Sequence, residues 1–199
     1  MIETLLDPEI VLTFRDLQEQ AYAVGEPDPT AMTLASADRD GRVSLRAVLL
    51  KHFDERGFVF YTNLHSHKGR QLSANPRAAI NFLWFKIGNQ VQVRAEGEIE
   101  AVSDADADTY FASRARDSQI GAWASKQSET LPDRATFEQR MDEFRLRFDG
   151  QPVPRPAHWS GLRLRPDLIE FWYGARYRLH QRDRWELVDG HWQRRLLYP

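Results

Sequence analysis

Three stretches of the chain carry side chains suited to gripping an anion. The first, Leu45 to Arg70, ends in Ser66-His67-Lys68-Gly69-Arg70. Ser66 has the character of the N-cap of a short helix that stops before Asn75-Pro76. Free N–H groups, the positive end of the helix dipole and an adjacent Lys68 suit a phosphate. The plainer alternative is a set of basic residues on a solvated face. The second stretch is Arg114-Ala115-Arg116-Asp117-Ser118 through Lys126-Gln127-Ser128. Tyr110, Arg114 and Ser118 fall at helical spacings if two short helices are nearly continuous, which groups a phenol, a guanidinium and a hydroxyl for a second phosphate. A solvated helix face is the competing reading. The third is Glu170-Phe171-Trp172 followed by Arg178-Leu179-His180-Gln181-Arg182. On a strand, Arg178, His180 and Arg182 share one face, where their charges repel unless an anion sits among them. Trp172 packs on a planar ring or fills core.

Other chemistries find no support. There is no cysteine, so disulfides, thiolate catalysis and cysteine metal sites are excluded. The six histidines are scattered without metal-ligand spacing. No Gly-x-Ser-x-Gly elbow, dinucleotide loop or P-loop is present. A net charge of −2 removes the field that draws a protein to nucleic acid or an anionic membrane. No apolar run reaches membrane-spanning length and no leader pattern opens the chain, so the expected location is cytoplasmic.

The elements that must position these residues follow from periodicity. With 199 residues, 42% hydrophobic, a single domain over 1–199 is expected, with 1–28 a helix and lead-in and 157–199 strands that complete it. Asp7-Pro8 caps a helix to about Val24, with Ile10, Val11, Phe14, Leu17 and Ala21 on one face. Strands are predicted over Ala31–Ser36, Val43–Lys51, Phe58–Asn63, Ala78–Phe85 and Val91–Ile99. The segment Leu45–Lys51 is expected to pair with Phe58–Asn63 across the Asp54-Glu55-Arg56-Gly57 turn. Helices follow at about 103–113 and 117–125, and Phe137, Met141, Phe144 and Phe148 mark another that Gly150 ends. After the Pro152–Pro156 connector, strands are expected over 161–164, 168–173 and 178–182, then a hairpin at Asp189-Gly190. Successive strands with short turns predict a mainly β, α+β fold built on an antiparallel barrel or sandwich.

Several motifs in order then resemble the pyridoxamine 5′-phosphate oxidase family. They are Asp28-Pro29-Thr30-Ala31-Met32, Val48-Leu49-Leu50-Lys51, Phe60-Tyr61-Thr62-Asn63, Asp117-Ser118-Gln119-Ile120-Gly121-Ala122-Trp123, Ser125-Lys126-Gln127-Ser128, Glu170-Phe171-Trp172 and Arg178-Leu179-His180. The resemblance implies an FMN-binding split barrel in a homodimer, with FMN in two clefts at the interface. It places FMN contacts on Arg46, Ala47, Val48, Leu49, Leu50, Lys51, Tyr61, Thr62, His67, Lys68, Gln92, Gln127, Ser128, Trp172 and Arg182. Substrate contacts fall on Lys51, Tyr110, Arg114, Ser118, Arg178, Leu179 and His180, with Arg178 and His180 nearest the chemistry. Arg46 and Lys51 have opposite strand parity, which a dimer interface or a bulge must reconcile.

The implied reaction is oxidation of pyridoxamine or pyridoxine 5′-phosphate at C4′ in vitamin B6 metabolism. Hydride passes to the flavin, O2 reoxidises it to give H2O2, and the amine substrate releases NH3. Three departures from the family stand out. His67 occupies a position where Arg is usual. A longer loop leaves Gln90 as a rival to Gln92, although the spacing to Val93-Arg94 and Gly97 favours Gln92. The N-terminal segment that covers substrate in some members is short. Two other functions remain open: a related oxidase of another reduced ring, and a non-catalytic flavin- or pyridoxal-phosphate-binding protein.

Overall fold

The computed structural model describes residues 5–199. Its frame is one antiparallel sheet of nine strands that curls around an aromatic core. Helix α1 (Pro8–Ala23) starts where the sequence predicts, with the Asp7 carboxylate accepting from the Glu9 N–H at 2.8 Å. Its apolar face buries Phe14 among Phe53, Phe58 and Phe82, with ring centroids 4.4–5.2 Å apart. Strands β1 (Ala31–Ala37) and β2 (Val43–Leu49) form a hairpin through the Asp38–Gly41 turn. Gly41 adopts the left-handed φ that this turn needs.

The expected pairing of Leu45–Lys51 with Phe58–Asn63 is reduced to one backbone bond, from Lys51 N–H to Val59 O at 2.8 Å. β2 ends at Leu49 and pairs only with β1, which leaves it at the sheet edge. Leu50 turns into the core, and a separate short strand β3 (His52–Asp54) pairs with β4 (Gly57–Asn63) across the predicted turn. The early end of β2 also answers the parity conflict. Lys51 lies beyond the strand, so the alternation that governs Arg46 does not govern it.

Helix α2 (His67–Ala74) begins at the expected cap: the Ser66 hydroxyl accepts from the Gly69 N–H at 3.2 Å. Strands β5 (Arg77–Trp84) and β6 (Val91–Ala101) follow. Helices α3 (Asp104–Ser113), α4 (Arg116–Ala124) and α5 (Arg134–Arg147) form a second cluster with its own small core around Phe111, Phe144 and Trp159.

The next strand departs from expectation. β7 runs unbroken from Trp159 to Tyr173 and pairs with β4, β6 and, further along, β8. Pro166 does not divide it, because the register shifts at Glu96/Gly97 and the missing Gly97 side chain leaves room for the Arg165–Pro166 backbone. The segment predicted as a strand over 178–182 is instead a tight turn at Arg176–Arg178, with strand only from β8 (Gln181–Val188) onward. Strand β9 (His191–Leu197) closes the predicted hairpin, with Asp189 and Gly190 both at positive φ.

Candidate functional site

A cavity of about 490 Å³ opens between β2, β4, α2 and the α3–α4 pair. From the predicted cofactor set it gathers Ala47, Val48, Leu49, Lys51, Tyr61, Thr62, Lys68 and Gln127; from the substrate set it gathers Lys51, Tyr110, Arg114 and Ser118. Lys51, Lys68 and Arg114 line it and no carboxylate does. Three cations without a counter-ion on one concave wall favour an anionic ligand.

Lys51 is exposed, and the other two cations are held differently. Lys68 sits in the first turn of α2 and is half-buried; its Nζ reaches Gln127 Oε1 at 3.4 Å and Ser66 Oγ at 3.5 Å. Burial lowers its pKa, and the charge of Arg46 adds to that. Arg114 has no carboxylate within ion-pair distance among the described residues, and its buried Nη1 has no hydrogen-bond partner. Burial lowers its pKa too. An unsatisfied guanidinium N–H at a cavity wall is costly unless a ligand oxygen accepts from it. The break between α3 and α4, at Arg114 and Ala115, replaces the near-continuous helix of the sequence reading. Tyr110, Arg114 and Ser118 still converge on the cavity.

Aromatic stacking builds the wall behind them. The Tyr61 and Tyr110 rings stack at 3.9 Å, and Trp159 lies parallel to both at 5.2 and 6.1 Å. Burial, followed by the charge of Asp106, raises the pKa of Tyr61. Asn63, Gly121, Ala122 and Ser125, which belong to the motifs of the resemblance without being implied contacts, also line the cavity, as does Trp159, which no motif includes. Trp159 follows a proline-rich connector and opens a strand, a context that marks no ligand site.

Ten predicted residues lie outside the lining, and four of them are on or beside the elements that form it. Arg46 turns to the other side of β2 and donates to Leu34 O, Ser36 Oγ and Gln71 Oε1 at 2.6–3.3 Å. Leu50 is core. His67 is exposed at the first position of α2. Ser128, at φ 74°, lines an adjoining groove with Lys126, Arg134 and Arg140, which shares Ser125 and Gln127 with the cavity.

The remaining predicted residues form a second group on β6, β7 and β8. Gln92 pairs in register with Trp172, and Trp172 with Arg182, so the three lie in a row across the sheet. Gln90 precedes β6 at φ 113°, where its carbonyl accepts from Gly174 N–H at 2.8 Å, and it is not in that row. Two positions along β7, the buried Glu170 carboxylate accepts from Arg182 Nε at 2.7 Å and Nη2 at 3.1 Å, and from Arg94 Nη2 at 2.9 Å. These arginines hold its pKa down against the burial that raises it.

Arg178, His180 and Arg182 do not share a strand face as expected, because Tyr177 and Arg178 are both at positive φ. Two successive strained non-glycine residues at an exposed turn are a functional signal. Leu179 is exposed beside them. His180 Nδ1 accepts from Ala175 N–H at 3.1 Å, so the neutral ring carries its proton on Nε2. Its ring lies 4.4 Å from that of Trp172. The cavity wall at Trp159 and the row at Trp172 are thirteen residues apart on β7. That is roughly 40 Å of strand contour at about 3.3 Å per residue.

Comparison with known proteins covers nearly the whole chain. The family model described as "Pyridoxamine 5'-phosphate oxidase" matches residues 18–148, and that described as "Pyridoxine 5'-phosphate oxidase C-terminal dimerisation region" matches 159–199. A curated protein of Xanthomonas euvesicatoria pv. vesicatoria, named pyridoxine/pyridoxamine 5′-phosphate oxidase, is 50% identical over 98% of this chain and 100% of its own length. The crystal structure of PhzG from Burkholderia lata in complex with tetrahydrophenazine-1-carboxylic acid superimposes with a TM-score of 0.88 at 32% identity, covering 97% of this chain and 95% of that one. A pyridoxamine 5′-phosphate oxidase-related, FMN-binding protein of Nostoc punctiforme shares the fold, with a TM-score of 0.72 at 17% identity over 98% of this chain and 99% of that one.

Proposed function

This chain belongs to the pyridoxamine 5′-phosphate oxidase family, and from that premise we propose that it oxidises pyridoxamine and pyridoxine 5′-phosphate to pyridoxal 5′-phosphate with FMN and O2. The observation that carries the reading is the cavity with three cations and no carboxylate, one of them Arg114 with a buried N–H unpartnered. Such a wall suits the phosphates of both FMN and the substrate. The protein is a homodimer, and the region matched as a dimerisation region carries Trp172, Arg178, His180 and Arg182.

Both ligands then bind where two copies meet. One protomer contributes the cavity, and its partner contributes the Gln92–Trp172–Arg182 row and the strained Arg178 turn. The roughly 40 Å of β7 between the two groups supports this division. FMN is held by the cavity residues named above together with Gln92, Trp172 and Arg182. When bound, the flavin supplies the redox chemistry, taking a hydride equivalent from substrate C4′ and passing its electrons to O2 to give H2O2. Lys51, Tyr110, Arg114 and Ser118 grip the substrate phosphate. Arg178 and His180 hold the pyridine ring and its C4′ substituent, with the Nε2–H of His180 available to donate. The chain acts as a single domain, because β7 pairs with both β4 and β6 and so ties the C-terminal strands into the same sheet. The first four residues of that span lie outside the described residues.

The neighbour holding tetrahydrophenazine-1-carboxylic acid raises a second reading, a reduced ring bearing a carboxylate. The Lys51, Tyr110, Arg114 and Ser118 grip favours the phosphate ester, because a phosphate presents more acceptor oxygens than a carboxylate. The test is direct. The purified protein is expected to be yellow and to form aldehyde and H2O2 from pyridoxamine 5′-phosphate in air. A yellow protein without turnover would make it a binding protein, and turnover of the tricyclic acid alone would favour the second reading.

A further inference from the structure

We infer that Trp159 is a positioning residue that presents Arg114 to the substrate phosphate, an inference that rests on the phosphate role of Arg114 proposed above. Several other partly or fully buried arginines are held by carboxylates, Arg155 by Asp104 and Asp108, Arg163 by Asp54 and Arg182 by Glu170, while Arg46 donates to the neutral oxygens of Leu34, Ser36 and Gln71. Arg114 is instead held by an aromatic face. Its Cζ stands 4.7 Å from the Trp159 ring centroid and 5.6 Å from that of Phe111.

The difference has a chemical consequence. A carboxylate would occupy two guanidinium N–H groups and cancel the charge. A ring face attracts the cation through its quadrupole and uses none of the N–H groups, which lie in the guanidinium plane. The side chain is therefore fixed while its donors and its charge remain available. The unpartnered buried Nη1 is what such a support leaves behind.

Trp159 is itself immobilised. It is 6% exposed and stands opposite Asn63 in the β4–β7 ladder. Its ring stacks on Tyr61, and Phe111 meets it edge-on at 5.1 Å. Arg155 donates to the Trp159 carbonyl at 2.9 Å and, through its other nitrogens, to Asp104 and Asp108 on α3. One side chain thus locks the helix that leads to Arg114 onto the strand that starts with Trp159. The platform and its cargo are held in a single register.

The experiment uses the FMN-loaded dimer and four variants: Trp159→Leu, Trp159→Phe, Arg114→Met, and Arg114→Met with Trp159→Leu. Trp159→Leu is expected to raise KM for pyridoxamine 5′-phosphate roughly 10-fold, with kcat within about twofold, since a desolvated cation–π contact is of that strength. Inhibition by inorganic phosphate should weaken in parallel. Trp159→Phe keeps a ring face and should recover most of the loss. In the Arg114→Met background, Trp159→Leu should have almost no further effect on KM. The inference is overturned if Trp159→Leu raises KM equally with or without Arg114, or if it lowers kcat and leaves KM alone. Should the leucine variant fail to fold, Trp159→Met, alone and in the Arg114→Met background, decides the matter by the same non-additivity. If Arg114→Met leaves KM and phosphate inhibition unchanged, it is the phosphate role of Arg114 that fails.

Discussion

Glu170→Gln is the most informative single change on the sheet side of the site. The carboxylate is 3% exposed and receives three hydrogen bonds from two arginines, with the charge of Arg184 close by. Glutamine keeps the shape and removes the charge. A fully buried pair that loses one partner costs about 3–5 kcal/mol, an exposed pair at most about 1. Arg94 and Arg182 are about one-third exposed and rehydrate in part, so the cost falls between, at about 2–3 kcal/mol. For a chain of this length that lowers Tm by roughly 5–10 °C. The loss depends on pH. The folded-state pKa of Glu170 is depressed, so its contribution is complete above the unfolded carboxylate range and fades as pH falls through the folded value. Variant and parent should therefore converge in acid. Arg182, freed from its carboxylate, also loses its fixed direction in the row with Trp172 and Gln92, and FMN should dissociate about 10-fold more readily. Melts at fixed protomer concentration across pH, with flavin release followed by fluorescence, measure both effects. A variant that melts with the parent at pH 7 and holds FMN as tightly would refute the reasoning.

Further outcomes follow from the same geometry. Asp54, bonded to Arg56 and to the buried Arg163, has its pKa pulled down to about 2 against the burial that raises it. Its stabilisation is complete above the unfolded carboxylate range and is lost as pH falls toward 2, so Asp54→Asn should cost at least about 2 kcal/mol in a denaturant titration at pH 7 and flatten stability between pH 4 and 2. Equal slopes for both proteins would count against it. Leu45 is 67% exposed on the edge strand β2, on the face of Ala47 and Leu49. Leu45→Asp should shift the dimer toward monomer and release flavin, and an intact dimer by light scattering would place the interface elsewhere. Arg178→Met should cut turnover by orders of magnitude with flavin retained; unchanged turnover removes Arg178 from the chemistry.

Much of the scaffold was legible because local chemistry sets it. Asp7-Pro8, Ser66 and Ser103 cap helices as their types require, and Asp189-Gly190 turns the last hairpin. The pairing of β2 is not legible because Val48-Leu49-Leu50 reads as one apolar run and hides the point where Leu50 leaves the strand for the core. The continuity of β7 across 161–164 and 168–173 is not legible locally, because a proline ordinarily interrupts a strand and the space for Pro166 is made by distant Gly97. The Arg178 turn rests on left-handed backbone at Tyr177 and Arg178, which their residue types disfavour and local reasoning does not anticipate. The anion-gripping residues were visible by type. Their division between two ends of one long strand is a tertiary fact that spacing does not encode.

Mixing the Arg114→Met and Arg178→Met variants, assayed at substrate well below the KM of the Arg114→Met protein where both turn over slowly, probes the shared site most directly. Arg114→Met damages the cavity and Arg178→Met the strained turn. After random reassortment about half the dimers are mixed, and each mixed dimer has one site with both lesions and one with neither, so about a quarter of the parental turnover should return. Mixtures as inactive as the separate variants would show that each site is built within one chain.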